Sequence, residues 1–308
     1  MNYAKEIIEL KRAKNAIILA HYYVKEEIQE IADFIGDSLA LAQASKKTDA
    51  NIIVFCGVHF MAETAKILNP SAKVLIPDMN AGCSLADSAP IEKFVAFKKQ
   101  HPNAVVVSYI NCNADVKAES DYICTSSNAV EIVNAIPVDK EIIFAPDKHL
   151  GRYVEKVTGR SLHIWDGSCM VHDTISIDKL KILTQQHPDA AIIAHPECES
   201  TLLDMADFVG STKALIEYVK QSEHSKFIVA TEAGVLYKMK IEAPGKVIIP
   251  APSFENNTCA CAECPYMKLN SLEKIYNILK NESPEIQIDP KVEKAALKAL
   301  NNMLSVSK

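Results

Sequence analysis

Three times along the chain a short apolar run breaks off into a polar cluster. Residues 17–20 lead into His21-Tyr22-Tyr23, residues 105–108 into Tyr109-Ile110-Asn111, and residues 191–194 into His195-Pro196-Glu197. Apolar runs this short, bounded by polar residues, read as buried strands. In all three cases a hydroxyl stands 17 positions beyond the first residue of the cluster: Ser38, Ser126 and Thr212. Each hydroxyl closes a related segment, Ala32-Asp33-Phe34-Ile35-Gly36-Asp37-Ser38, Ser120-Asp121-Tyr122-Ile123-Cys124-Thr125-Ser126 or Ala206-Asp207-Phe208-Val209-Gly210-Ser211-Thr212. One shared interval arises easily by chance, whereas three in concert mark an internal repeat.

The pattern continues downstream. Helical stretches are predicted at 39–46, 128–135 and 213–219, and second strands at 51–56, 141–145 and 226–230. Third strands follow at 73–76, 161–164 and 246–249, each running on to a loop that contains cysteine. Strands alternating with helices at these lengths predict parallel βαβ units covered by helices on both faces. The expected fold class is α/β, with three pseudo-threefold-related three-layer αβα domains, each holding a small parallel sheet. Their expected bounds are 1–86, 87–173 and 174–308, the last including a terminal helix at 292–304 that packs across the assembly. No flexible linker separates them.

Composition narrows the function. A 308-residue chain with 48% hydrophobic residues and a mean hydropathy of +0.02 is globular. A net charge of −6 speaks against nucleic acid as a partner, because phosphate contacts need a basic stripe. No apolar run is long enough to cross a membrane, and residues 1–15 read as an amphipathic helix without an apolar signal core, so a cytoplasmic setting is expected. Nine cysteines in that setting point to metal ligands, catalytic groups or small core residues rather than disulfides. Arginine is confined to Arg12, Arg152 and Arg160, so an anionic ligand must be held mainly by backbone N–H groups, hydroxyls, His or Lys.

Spacing selects among the cysteines. Cys83 and Cys169 close the first two repeats, and a helix of related sequence begins eight residues after each, at Ile91-Glu92-Lys93-Phe94 and Ile177-Asp178-Lys179-Leu180. The third repeat offers Cys259, Cys261 and Cys264, and only Cys264 stands eight residues before such a start, Leu272-Glu273-Lys274-Ile275. Loops at the carboxyl ends of parallel strands converge where such domains bind ligands, so one cysteine per repeat is expected near a common axis. Three thiolates there can hold zinc, with His172 as fourth ligand through Cys169-x-x-His172, or a [4Fe–4S] cube by three of its irons; Cys261-x-x-Cys264 also has the spacing of a redox pair. Cys56, Cys112, Cys124 and Cys198 read as small core residues, with Cys124 in the place of Gly36 and Gly210.

The clusters that follow the first strands face the same axis. Ser38, Ser126 and Thr212 stand at or beside helix starts, where hydroxyls cap free N–H groups and where three helix N-termini can hold anions. Glu197 is the one carboxylate among the paired residues and the natural general base, its pKa raised by burial; Tyr23 is a candidate acid, with Asp37 and His172 in support.

Together these residues resemble the quinolinate synthase family over essentially the whole chain. The resemblance rests on Ala20-His21-Tyr22-Tyr23, Gly36-Asp37-Ser38, the run from Gly57 to Ala65, Gly82-Cys83-Ser84, Tyr109-Ile110-Asn111, the run from Gly167 to His172, His195-Pro196-Glu197-Cys198, Thr231-Glu232-Ala233-Gly234 and the run from Cys264 to Lys268. It implies a [4Fe–4S] cluster on Cys83, Cys169 and Cys264 with one iron not ligated by protein. It also implies condensation of iminoaspartate with dihydroxyacetone phosphate to quinolinate, with loss of phosphate and two waters, in NAD biosynthesis. Substrate-binding residues carry over to His21, Ser38, Tyr109, Asn111, Ser126, His195, Glu197 and Thr212, with Tyr23 and His172 also in the pocket. Iminoaspartate is unstable in water, so an oxidase that produces it is expected to work nearby. Where some members carry C-x-x-C-x-x-C, this chain has Cys259-x-Cys261-x-x-Cys264. Two other readings remain open: an iron–sulfur hydro-lyase acting on another small di-acid, and a cluster-based redox sensor.

Overall fold

The computed structural model describes residues 2–254 and 262–306. Among the described residues, twelve strands form three separate four-stranded sheets, all parallel. The first holds β1 (Ala16–His21), β2 (Phe34–Gly36), β3 (Ile52–Cys56) and β4 (Lys73–Leu75) in the order β2-β1-β3-β4. The second repeats that order with β5 (Val105–Tyr109), β6 (Tyr122–Cys124), β7 (Ile142–Ala145) and β8 (His163–Ile164). The third does so with β9 (Ala191–Ala194), β10 (Phe208–Val209), β11 (Lys226–Ala230) and β12 (Val247–Pro250). The expected three αβα units are present.

Burial on both faces explains the continuous apolar runs. In β11, Phe227 and Val229 enter one core cluster while Ile228 and Ala230 enter another on the opposite side of the sheet. Alternate residues along the strand therefore point into separate apolar layers.

Each sheet has one strand more than the three expected. The additional strands β2, β6 and β10 lie inside the repeated segments, and an aspartate anchors each one. Asp33 Oδ2 accepts the Ile18 N–H at 2.7 Å, Asp121 Oδ2 that of Val106 at 2.8 Å, and Asp207 Oδ2 that of Ile192 at 2.8 Å. In return the N–H of each aspartate donates to the carbonyl of the same residue. This two-way clamp fixes the register of a strand too short to hold itself. Because these carboxylates lie at the sheet edge within reach of water, Asp207→Ala is expected to cost only about 1 kcal/mol. An unchanged denaturation midpoint would show that the clamp is idle.

Helices Ile91–Gln100, Ile177–Gln186 and Leu272–Asn281 begin eight residues after Cys83, Cys169 and Cys264, as the spacing predicts. The last of them packs on the first helix, Tyr3–Lys14, with the Tyr3 and Tyr276 rings 5.6 Å apart. Glu282 adds contacts of 2.7 Å to both Lys14 and Lys73. The terminal helix, Pro290–Val306, lies against helices His59–Leu68 and Ala114–Ala118 and against β6. Its Ala296, Ala299, Leu300 and Met303 complete a core shared by the first and second sheets. The end of the chain thus ties two of the three units together, as expected of the tail.

Candidate active site

All three sheets turn the carboxyl ends of their strands toward one central cavity, the crevice at which parallel α/β sheets bind ligands. His21, Tyr23, Ser38, Tyr109, Asn111, Ser126, His172, His195, Glu197, Thr212, Cys83, Cys169 and Cys264 all line it. These candidates, from His21 near one end of the chain to Cys264 near the other, are therefore brought to one place.

The first-strand clusters are built alike. His21 Nδ1 accepts the Tyr23 N–H at 3.3 Å, and His195 Nδ1 accepts the Glu197 N–H at 3.4 Å. That contact assigns the proton to Nε2 in both rings, which directs an N–H toward the cavity. Burial lowers the pKa of His21 to about 3 and of His195 to about 4, so both are neutral donors at neutral pH. His195 Nε2 lies 3.1 Å from Ser126 Oγ.

The hydroxyls are placed differently from the capping roles expected of them. Helices Ser38–Lys47 and Thr212–Gln221 are capped one residue earlier, by Asp37 accepting from the Ala40 N–H and by Ser211 accepting from the Ala214 N–H. Ser38 and Thr212 are thus the first residues of their helices, free to face the cavity rather than spent on the cap. In the second repeat, Asn128 Oδ1 takes the Thr125 N–H at 2.6 Å, and the helix begins only at Ala129. Two helix N-termini, not three, start at the expected hydroxyl.

Glu197, only 3% exposed, is the hub of the polar network. Tyr109 donates its O–H to Oε1 at 2.5 Å, and His172 Nδ1 stands 3.2 Å from Oε2, near enough for an ion pair yet out of line for a hydrogen bond. Burial acts to raise the Glu197 pKa, as the sequence suggested. The neighbouring His172 and His195 and the Tyr109 hydrogen bond outweigh it and hold the carboxyl well below its usual range. The expectation of a raised pKa is therefore reversed, because partners from other repeats reach the carboxylate. Tyr23 donates or accepts at Thr212 Oγ1 (2.9 Å) and Thr231 Oγ1 (3.2 Å), and burial raises its pKa, keeping the phenol protonated. The Asn111 Oδ1 is buried with no partner among the described residues. No Lys or Arg lines the cavity among the described residues.

The three thiols share one local geometry. Backbone N–H groups of Leu85 and Ala86 point at the Cys83 sulfur, those of Val171 and His172 at Cys169, and those of Tyr266 and Met267 at Cys264. In every repeat the donors are the second and third residues after the cysteine, at the mouth of a short helical turn. Burial pushes the Cys83 thiol up to about 12 and raises Cys169 and Cys264 as well. Three soft donors that resist ionisation alone, yet have N–H groups prepared for negative sulfur, suit a site completed by a metal centre. Cys169 also has ligand atoms of His172 and Glu197 within 4.8 Å. Cys56, Cys112, Cys124 and Cys198 are buried and line no part of the cavity. Cys259 and Cys261, and with them the redox-pair spacing, lie outside the described residues.

Residues that follow the third-position strands β3, β7 and β11 complete the site and were not singled out. Glu232, 1% exposed, lines the cavity and is pushed by burial to about 7, against the pull of Lys268. Thr231 bridges Tyr23 and His172. Asp147, fully buried in the position matching Glu232, has its pKa raised strongly by burial. The motif Thr231-Glu232-Ala233-Gly234 was the signal for the first two.

The profile of the family described as quinolinate synthetase A protein matches residues 5–305. A quinolinate synthase of Trichodesmium erythraeum is 58% identical over 301 residues, covering 98% of this chain and 93% of its own. One of Nostoc punctiforme is 59% identical over 301 residues, covering 98% and 92%. One of a Synechococcus strain is 58% identical over 301 residues, covering 98% and 94%.

Proposed function

The chain belongs to the quinolinate synthetase A family, and we propose that it condenses iminoaspartate with dihydroxyacetone phosphate to quinolinate. Phosphate and two waters leave, and the product feeds de novo NAD biosynthesis. The observation that carries this reading is the meeting of one thiol from every repeat with the paired polar clusters in a cavity lined by no cationic side chain among the described residues.

Cys83, Cys169 and Cys264 are proposed to hold a [4Fe–4S] cluster by three irons; the fourth, not ligated by protein, supplies a Lewis acid when the cluster is bound. The remaining work falls to the chain. The substrates bring two carboxylates and one phosphate. N–H donors of His21 and His195, the hydroxyls of Ser38, Ser126 and Thr212, the Asn111 amide and the helix starts at Ser38 and Thr212 are proposed to hold them. Neutral donors fit three anions without a closed-in cation to neutralise each one.

Glu197 is proposed as the general base. It is ionised in the resting site, and His172, 3.2 Å away, stands beside it in support. Tyr23, kept protonated by burial, is placed to return a proton to a departing oxygen. Tyr109 fixes the Glu197 carboxylate by its hydrogen bond. Reduced thiols are required, which agrees with a cytoplasmic setting beside an oxidase that makes iminoaspartate.

The test is product analysis. Iron-loaded protein incubated without air with iminoaspartate and dihydroxyacetone phosphate should release quinolinate and phosphate in equal amounts. Iron-loaded protein that forms no quinolinate but dehydrates another di-acid would replace this reading by the hydro-lyase one.

A further inference from the structure

We propose that Glu232 and Lys268 form a brace that positions two groups at once, the third cluster cysteine and the proton donor Tyr23. The inference rests on the cluster reading above and adds two positioning residues to it.

Both carboxylate oxygens of Glu232 are committed. Oε1 accepts the backbone N–H of Cys264 at 2.9 Å, and Oε2 accepts that of Gly234 at 2.6 Å. Lys268 Nζ stands 3.6 Å from Oε1 and donates to the Tyr23 carbonyl at 3.0 Å. Tyr23 belongs to the first repeat, and its hydroxyl already rests on Thr212 and Thr231 of the third. Both ends of that residue are therefore held by the third repeat and its loop. A buried carboxylate is costly unless paired and hydrogen-bonded, and this one is spent wholly on backbone positions rather than on packing.

Gly234 shows how tight the arrangement is. A Cβ there would fall 2.7 Å from Glu232 Oε2 and 2.8 Å from the Tyr23 Cα and carbonyl oxygen. Only a residue without a side chain lets the two repeats approach at this point. Nothing equivalent exists at Cys83 or Cys169 among the described residues: the residue matching Glu232 in the first repeat is Val58, and in the second Asp147 bonds to the Leu150 N–H. The third cysteine stands farther along the chain from its last strand than the first two do from theirs, and the brace, beside the bond from the Ala233 N–H to the Ala262 carbonyl, anchors it to the segment after β11.

Glu232→Gln keeps the volume but leaves one acceptor for two N–H groups and removes the counter-charge of Lys268. Groups that orient metal ligands typically cost 10–100-fold when lost. Iron-loaded Glu232→Gln should therefore bleach about 10–100-fold faster than the parent on adding an iron chelator, read from the visible absorbance. Lys268→Met removes the Tyr23 contact and the counter-charge of Glu232 but leaves both N–H contacts of Glu232 in place. It should keep the parent's iron content and KM while kcat falls about 10-fold or more, as misplacement of a reacting group does. A parent that holds iron beside a Glu232→Gln variant with the same bleaching rate overturns the brace and leaves the cluster reading intact. A parent that takes up no iron overturns the cluster reading itself. Should Glu232→Gln not fold, Lys268→Met decides: an unchanged kcat refutes the brace.

Discussion

Alanine in place of Cys83, Cys169 or Cys264, one at a time, is expected to abolish quinolinate formation and to strip the iron from the protein. Each sulfur comes from a different repeat, so among the described residues no neighbouring thiol can take over a lost position. Cys198 and Cys112 are buried elsewhere in the units and do not line the cavity. Even changes one shell further out cost 10–100-fold in metal affinity, so losing a ligand should cost more than about 100-fold. Cys112→Ala and Cys124→Ala provide the contrast, since these side chains supply packing alone. They should keep iron and activity while melting a few degrees lower. If a Cys83, Cys169 or Cys264 variant kept full iron and turnover, that cysteine would be no ligand.

Glu197→Gln is expected to lower kcat by about 10²–10⁴-fold, the range that a general acid or base contributes, with the cluster absorbance unchanged. The substitution preserves shape but turns an ionised acceptor into a group that cannot take a proton. It also sets an amide against the Tyr109 hydroxyl, which now donates to Oε1 at 2.5 Å. Tyr109→Phe should fall between parent and Glu197→Gln, because it loosens the carboxylate without removing it. Steady-state rates alongside the visible spectrum of the same samples separate this effect from loss of the cluster. A Glu197→Gln variant with parental kcat would require another base.

The repeat, the strand-to-cluster junctions and the cysteine register were legible because each depends on local pattern. Apolar runs with fixed polar ends, at constant intervals, report the backbone directly. The fourth strands escaped for a physical reason: at two or three residues they have no pattern of their own, and the aspartate clamps that hold them join residues fifteen positions apart. Capping was misassigned by one residue, since Asp37 and Ser211 are as able to cap as Ser38 and Thr212, and only backbone direction decides between them.

Within the site, the residues after the first strands could be found because all three repeats place polar groups there. Glu232 could not be found by that comparison, since its counterpart in the first repeat is the apolar Val58. The direction of the Glu197 shift was beyond sequence as well. Burial was foreseeable, but Tyr109, the hydrogen-bond partner that helps to overcome it, lies 88 positions away and meets Glu197 only through the packing of two repeats. Properties that belong to one segment were readable; those created between segments were not.

One count bears most directly on the whole account: iron, acid-labile sulfide and zinc per chain in protein purified without air. Three converging thiols should yield about four irons and four sulfides, the content of a single cubane, with a brown visible spectrum that fades in oxygen. A colourless protein holding one zinc, or no metal at all, would contradict the assignment of Cys83, Cys169 and Cys264.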